Sequence, residues 1–410
     1  MSKQVQDAYI VAATRTPIGK SGRGYFKNTR ADDLLVLAIQ SALRQVPTLD
    51  PKAIQDAVIG CSFPEGEQGM NMARIAVALA GLPNSVGGIT VNRFCASGLS
   101  AIQMAADRIR VGEADVMIAG GAESMSLVPM GGNKPSFNPS VFAKDENIGI
   151  AYGMGITAEN VAKQWKVSRE AQDEFALQSH LKALKAQQAG EFTNEMTAVD
   201  VIDRFPNLLT GEQGTRTRTV SLDEGPRADT SLEGLAKLKP VFAARLDPAG
   251  KPTGFGSVTA GNSSQTSDGA GALILASERA VKEHGLTPLA RFVSFASRGV
   301  PPEIMGIGPI EAIPAALGYA GLKSSDMDWI ELNEAFAAQA LAVLTTLDLD
   351  RTKVTPMGGA IALGHPLGAT GAVRTATLMH GLKRTGGRFG MVTMCIGTGM
   401  GAAGLFESMR

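Results

Sequence analysis

The chain has 410 residues, enough for about two or three domains and a large apolar core. Lys plus Arg and Asp plus Glu each number 39, so no net basic field favours nucleic acid or an anionic membrane. Three cysteines and four histidines show neither a disulfide framework nor zinc-binding spacing, so we expect no metal and a cytoplasmic location. No long apolar run predicts a transmembrane helix, and the first seven residues lack a signal-peptide pattern.

Apolar strands alternate with amphipathic helices through the first third of the chain. The predicted strands are residues 9–13, 57–60, 88–92 and 115–121, and the predicted helices are 32–46, 71–80 and a segment that starts at Leu99. This alternation predicts a mostly parallel sheet with helices on its faces.

The character of the sequence changes between residues 123 and 247. Residues 127–143 are a predicted loop, 156–190 form a long polar helical stretch, and 210–229 are again loop-like. We interpret the span as an insertion or lid over the core. Its arginines, among them Arg227, are either solvated surface or contacts for a phosphorylated ligand.

The last third repeats the outline of the first third. After a small polar run at 256–270, the predicted strands are 291–295, 329–332, 391–394 and 402–406, and the helices are 309–320, 334–347 and a segment after Gly371. Each third contains a loop that feeds a helix at a similar place, with Cys95 in one and His365 in the other. This is a weak signal of duplication.

Cys95 lies in a turn of small residues just before the helix that starts at Leu99. Unpaired N–H groups and the helix dipole favour an anion there, so we expect a lowered thiol pKa and a nucleophilic cysteine. The alternative is a small buried apolar residue, which is what most free cysteines are. The same alternative is favoured for Cys61, which follows a predicted strand.

Three further polar groups follow predicted strands or lie in glycine-rich loops. Asn333 is at a strand-to-helix junction, where an N-cap is the simpler interpretation, and His365 lies within the loop 358–371. Cys395 opens the turn 395–399, where the Gly397 amide can face an oxyanion. Cys, His and Asn together fit nucleophilic acyl transfer, as in a cysteine protease, but a second cysteine favours carbon–carbon chemistry beside a thioester.

The stretches 91–100, 333–339, 358–371 and 395–401 resemble, in this order, the motifs of the thiolase family of acyl-CoA acetyltransferases. The resemblance covers nearly the whole chain. It implies an α/β fold of layered αβαβα type, built from two duplicated mixed-sheet halves and an inserted α-rich loop domain. The expected division is 1–122 with 248–280 for the N-terminal half, 123–247 for the insertion, which would bind CoA and make oligomer contacts, and 281–410 for the C-terminal half.

The resemblance also implies catalytic roles. Cys95 would attack the 3-ketoacyl-CoA carbonyl and carry the acyl group, and His365 would take the thiol proton. Asn333 would hold a water that completes one oxyanion hole with His365. Cys395 would exchange a proton with the enolate carbon of acetyl-CoA, and the N–H groups of Cys95 and Gly397 would form the second oxyanion hole.

The co-substrate implied by the resemblance is coenzyme A, with no permanently bound cofactor. Arg227 matches a position near the nucleotide end and Ser264 one near the pantetheine, while Met154, Phe336 and Met305 would line the acyl–pantetheine tunnel. The ligands are CoA with 3-ketoacyl-CoA or acetyl-CoA, and neither nucleic acid nor a membrane segment is expected. A homodimer or homotetramer is expected, and a hydratase/dehydrogenase subunit could join it.

The implied reaction is thiolysis of 3-ketoacyl-CoA by CoA in fatty-acid β-oxidation. One alternative is a short-chain acetoacetyl-CoA thiolase working in the biosynthetic direction, but such enzymes often have His-Met-Gly where this chain has Gly153-Met154-Gly155. A decarboxylating condensing enzyme usually lacks the second cysteine. An alternative of another class is a catalytically silent acyl-CoA-binding protein, which the intact set of polar residues disfavours.

Overall fold

The computed structural model describes residues 5–242 and 256–409, so the predicted boundary at 247/248 lies outside the described residues. The strands are β1 Ala8–Arg15, β2 Gly19–Lys20, β3 Asp56–Gly60, β4 Ile89–Val91, β5 Val116–Ser124, β6 Val199–Pro206, β7 Gln213–Val220, β8 Ser267–Ser277, β9 Ala290–Gly299, β10 Trp329–Leu332, β11 Phe389–Ile396 and β12 Met400–Ser408. The helices are α1 Ala31–Gln45, α2 Met72–Leu79, α3 Ser97–Arg110, α4 Asp145–Ile148, α5 Met154–Gln164, α6 Arg169–Gln188, α7 Leu232–Ala236, α8 Glu278–Glu283, α9 Gly308–Ala320, α10 Ala337–Thr346, α11 Ala360–Leu363 and α12 Thr370–Thr385. Over these residues, each helix is too short or too polar to cross a membrane.

Most predicted elements recur within a few residues, and two differences stand in the inserted span. The helix predicted at 156–190 is two helices, because Lys166 adopts a left-handed φ of 54° and Ser168 caps α6 by accepting the Ala171 N–H. The loop predicted at 210–229 contains β7, which pairs with β6. Threonines alternate with arginines in β7. Threonine is β-branched and favours a strand, so the segment forms one although it lacks an apolar pattern.

The prediction of a mostly parallel sheet is wrong. In the described part of the chain, a ten-stranded sheet has the order β10-β11-β12-β9-β1-β8-β5-β3-β4, with β2 beside β8. Only β3 with β4, β3 with β5, and β10 with β11 pair in parallel among its ladders. The others are antiparallel: β12 follows β11 through a tight turn, which permits no other direction, and β8 returns beside β5 after the long insertion.

The duplication is visible in the sheet order. One half runs β4-β3-β5-β8-β1, and the other runs β10-β11-β12-β9 with a parallel bridge from Ile330 to Val354 at the place of β4. The first helices of the halves are α1 and α9, and the last are α3 and α12. The two halves join where β1 pairs with β9, through Tyr9 with Arg291 and Ile10 with Ala290. The mixed-sheet, duplicated fold expected from the resemblance is confirmed.

Alternate side chains of the strands enter different layers. In β8, Leu273 and Leu275 pack inward with α3 and α12, whereas Ile274 and Ala276 pack outward with α1 and α2. On the other half, α9 and α10 cover the outer face. Helices therefore cover both faces of the sheet, which explains why its strands read as continuous apolar runs.

The central helices α3 and α12 touch where each begins. A Cβ added to Gly98 would lie 2.8 Å from the backbone nitrogen of Ala372 and 2.9 Å from the Gly368 carbonyl oxygen. A Cβ at Gly371 would overlap the backbone nitrogen of Leu99. Glycine at these positions is what lets the two helix starts, and the loops before them, approach so closely.

We expect Gly371→Ala to lower the free energy of unfolding by at least about 2 kcal/mol, because the new methyl meets backbone that cannot rotate away. The matched control is Gly318→Ala in α9, where a Cβ meets nothing within 4 Å and alanine is the better helix former. Thermal unfolding measures both variants. Equal melting temperatures for the two would contradict the close-packing argument.

Candidate active site

Cys95 is held in a strained turn between β4 and α3. Phe94, the residue before it, has φ of 44°, a left-handed value that is rare for a bulky side chain. The turn is fixed by side chains: Asn92 Oδ1 accepts the Phe94 N–H at 2.8 Å, and Ser97 Oγ accepts the Arg93 N–H at 2.9 Å. Such strain costs about 1–3 kcal/mol and is concentrated at functional sites.

The Cys95 thiol is buried, with 2% of the residue exposed. The N–H groups of Gly397 and of Cys95 itself donate to the sulfur and favour the thiolate, but burial outweighs them and raises the pKa to about 12. The lowered pKa expected from the helix start is therefore wrong for the free protein. The thiol is neutral at physiological pH and needs a base to become a nucleophile.

His365 lies beside Asn333 and Thr370. Its Nε2 is 3.3 Å from Asn333 Nδ2, and its Nδ1 is 2.6 Å from Thr370 Oγ1. An amide nitrogen is only a donor, so Nε2 is the acceptor of that pair and the ring proton is on Nδ1, facing Thr370. Burial, and then the charge of Arg374, lower the His365 pKa to about 3. The ring is a neutral base whose lone pair is on Nε2, where it accepts the Asn333 amide.

Asn333 directly follows β10, and its N–H donates to the Thr393 carbonyl of β11 at 2.9 Å. The helix after it starts at Ala337 with Phe336 as N-cap, so the interpretation of Asn333 as an N-cap is wrong. Its Oδ1 is buried and has no hydrogen-bond partner among the described residues. A buried acceptor of this kind normally binds a water or a ligand.

Cys395 is fully buried near the end of β11. Burial, and then the charge of a Cys95 thiolate, raise the Cys395 pKa, which places the two thiols in one electrostatic environment. Met305 packs with Cys395, and Met154 and Phe336 pack against the same cluster. The three residues predicted to line a tunnel thus converge on the second cysteine.

Gly397 lies in the turn between β11 and β12, close to Phe94 and Met154. A Cβ at Gly397 would stand 3.7 Å from the Phe94 ring and 3.8 Å from the Met154 methyl. Its N–H therefore points to the Cys95 sulfur from a wall that is otherwise apolar. Thr398, the next residue, has φ of 69°, which tightens the turn.

Arg227 and Ser264 lie in different surroundings. Arg227 pairs with Asp229 at 2.9 Å and lines a cavity of about 410 Å³ together with Lys20, Arg23 and His180. Ser264 is outside that lining, and its N–H donates to the Ala335 carbonyl at 2.9 Å. Gln265 does line the cavity, and its carbonyl accepts the His365 N–H at 3.2 Å. The segment 264–265 thus connects the cavity with the His365 loop.

Sequence reasoning missed a buried carboxylate that ties these loops together. Glu123 accepts the N–H groups of Ser62 and Gly368, each at 2.8 Å, and the Gln68 amide. It thereby joins the turn after β3 to the loop that carries His365. Cys61 packs in the outer core, with its sulfur 3.7 Å from the same carboxylate. Thr370 was also missed, although it lies within the quoted stretch 358–371.

We expect acid to destabilise the protein through His365. An unfolded histidine titrates near pH 6.5, whereas the folded pKa is about 3, so between these values only the unfolded state takes up the proton. The contribution of the neutral ring to the free energy of unfolding is therefore fully present above about pH 6.5 and has decreased by about 2 kcal/mol at pH 5. His365→Asn lacks this contribution. The difference in the free energy of unfolding between wild type and this variant, measured by urea unfolding, should therefore be smaller at pH 5 than at pH 7. A difference that stays constant with pH would contradict the neutral, buried ring.

Comparison with known proteins places these features in a family. The model described as the thiolase N-terminal domain matches residues 8–279, and the one described as the thiolase C-terminal domain matches residues 286–408. The 3-ketoacyl-CoA thiolase of Bacillus subtilis (strain 168) is 48% identical over 404 residues, covering 98% of this chain and 100% of that protein.

Solved structures agree with this assignment. Human mitochondrial 3-ketoacyl-CoA thiolase superposes with a TM-score of 0.85 at 40% identity, covering 99% of this chain and 100% of that one. The same human enzyme in complex with CoA gives a TM-score of 0.85 at 39% identity, covering 99% of each chain. These likenesses, which cover nearly the whole chain, show that it belongs to the thiolase family.

Proposed function

We propose that this enzyme cleaves 3-ketoacyl-CoA with CoA, giving acetyl-CoA and an acyl-CoA shortened by two carbons. The observation that carries the proposal is two buried thiols, Cys95 and Cys395, in one electrostatic environment, with a neutral imidazole, His365, in the loop that packs against the turn of Cys95. One thiol can hold the acyl group while the other moves a carbon-bound proton. The names of the relatives and the CoA-bound structure of one of them support the same reaction.

In the first half of the reaction, the Cys95 thiol gives its proton to His365 Nε2 as its sulfur attacks the keto carbon. The bond between C2 and C3 of the substrate breaks, and the electron pair leaves on the acetyl-CoA enolate. Cys395 then donates its proton to the enolate carbon, which releases acetyl-CoA. The Asn333 contact supports this direction of transfer, since it leaves the ring proton on Nδ1 and the basic pair on Nε2.

In the second half, the Cys395 thiolate takes the proton of the incoming CoA thiol. The CoA sulfur attacks the acyl group on Cys95, a carbon–sulfur bond to CoA forms, and the bond to Cys95 breaks. Protonated His365 returns its proton to Cys95, so every group regains its starting state. The splitting of one difficult cleavage into two transfers is the advantage of a covalent intermediate.

Two sets of donors stabilise the negative oxygens. The N–H groups of Cys95 and Gly397 already point to the Cys95 sulfur and would face the carbonyl oxygen of an acyl group bound there. Asn333, whose Oδ1 has no described protein partner, would hold a water that acts with His365 on the thioester oxygen. A preorganised donor of this kind contributes about 3 kcal/mol to a transition state.

The CoA site in this proposal runs from the cavity beside Arg227, past Ser264, to Met154, Phe336 and Met305. Their convergence on Cys395 supports the last three as the tunnel lining. We keep the division into two halves and an inserted CoA-binding span, 123–247, as part of the proposal. A cytoplasmic homodimer or homotetramer that acts in β-oxidation, alone or with a hydratase/dehydrogenase subunit, completes it.

Replacing each cysteine separates the two proposed roles. We expect Cys95→Ser to lower CoA-dependent thiolysis at least about 1,000-fold, since the nucleophile is lost. Cys395→Ser should slow exchange of the α-protons of acetyl-CoA at least about 100-fold, as expected for loss of an acid–base group. The matched control is Cys61→Ser, a third buried cysteine outside this mechanism. Full thiolysis by Cys95→Ser would rule out the acyl-enzyme, and wild-type exchange by Cys395→Ser would rule out the proton shuttle.

Thr370 is expected to position His365 rather than contact substrate. Thr370→Val removes the acceptor of the Nδ1 proton without changing side-chain size, so kcat should fall about 10- to 100-fold while the KM for CoA is unchanged. Thr370→Ser restores the hydroxyl and should restore kcat. A Thr370→Val variant with wild-type kcat, or a Thr370→Ser variant as slow as it, would contradict this role.

A further inference from the structure

A cavity of about 690 Å³ lies between α6 and the end of α10, and it contains none of the residues assigned above to catalysis or CoA binding. One face of α6 forms a wall, through residues such as Ala171, Phe175 and Lys182. The facing wall comes from α10 and from the loop 351–354. Its volume is within the range of sites that bind small molecules.

The interior of this cavity is mainly apolar. Leu341, Leu344 and Val354 are buried side chains that face it from α10 and the adjoining loop, and Phe175 faces it from α6. A cavity with such walls favours an apolar chain or ring over water.

Cationic side chains surround the apolar interior. Lys166, Lys182 and Arg351 line the cavity from three different segments. Over the described residues, the Lys166 ammonium and the Arg351 guanidinium form no ion pair, and Lys182 Nζ donates only to the Val354 carbonyl at 3.2 Å. These groups are therefore available to an anionic ligand.

Two carboxylates share the lining with these cations, and over the described residues neither forms an ion pair with them. Glu174 is exposed and accepts the Gln178 amide at 2.8 Å. Glu334 is buried at the base of the cavity, where its oxygens accept hydrogen bonds from Ser179, Thr355 and the Ile361 N–H. The lining therefore carries three cations and two carboxylates, which leaves one positive charge in excess for an entering anion.

We propose that this cavity is a second binding site, for an amphipathic anion with a carboxylate head and an apolar tail. The tail would lie between Phe175 and Leu344, and the head would face Lys166 and Arg351. The site is distinct from the acyl tunnel, since no residue that packs around Cys395 lines it. Its inner end is Glu334, the neighbour of Asn333, so an occupant would touch the segment that orients the catalytic amide.

Sodium dodecanoate, kept below its micelle concentration, is the probe. Isothermal titration calorimetry in saturating CoA should show one saturable site, and the emission of Trp165, which lines the cavity, should change with the same midpoint. Dodecanol, which lacks the charge, should bind at least about tenfold more weakly. No saturable binding, or equal binding of the alcohol, would overturn the proposal.

Variants locate the bound anion. The double variant Lys166→Glu with Arg351→Glu should weaken binding at least about tenfold, and Ala171→Phe, which fills the mouth, should abolish it. Lys52→Glu, an exposed lysine outside the lining, is the matched charge control and should bind as wild type. Binding that CoA displaces, and that these variants leave unchanged, would place dodecanoate in the acyl tunnel and overturn the second site.

Discussion

The close approach of α3 and α12 is the constraint on which the site depends. The loops before these two helices carry Cys95 and His365, one from each half of the duplicated fold. Their starts meet only because Gly98 and Gly371 have no side chain. The end of β11, with Cys395, and the turn after it, with Gly397, reach the same point. Packing of the central layer is therefore also what sets the spacing of the chemical groups.

Burial determines the charge state of this centre. It raises the pKa of both thiols and lowers that of the imidazole. In the free protein the two thiols are therefore protonated and the imidazole is neutral. A permanent thiolate is not needed. Negative charge would develop only on an oxygen or carbon atom of a bound substrate. The oriented N–H groups of Cys95 and Gly397 would stabilise that charge on oxygen.

The sequence predicts the parts of the structure that depend on local patterns. Cys95 and Asn333 follow strands in the structure as they do in the sequence pattern, whereas Cys395 lies within β11, one residue before its end. The apolar periodicity locates α1, α9 and α12 within a few residues. The strand β8 was missed, since its first residues belong to the small polar run at 256–270. Its antiparallel pairing with β5 depends on residues far away in the chain. The strand β7 was missed because its residues are polar on both faces.

The protonation states of Cys95 and His365 could not be predicted from sequence, because they too depend on residues that are distant in the chain. A helix start favours a thiolate, and that effect can be read from sequence, but the opposing cost of burial depends on residues hundreds of positions away. The Thr370 contact to His365 is an intermediate case. The two residues are five apart in the stretch 358–371, yet only the folded loop shows that the Thr370 hydroxyl lies 2.6 Å from His365 Nδ1.

The junction of β1 with β9 has a geometric consequence for the whole molecule. Only two residue pairs join these strands, so backbone pairing between the halves is confined to this point. Elsewhere the halves are held together through α3 and α12, whose side chains pack with strands of both. A change in the volume of those two helices would therefore alter the spacing of the halves more than it would disturb either half by itself.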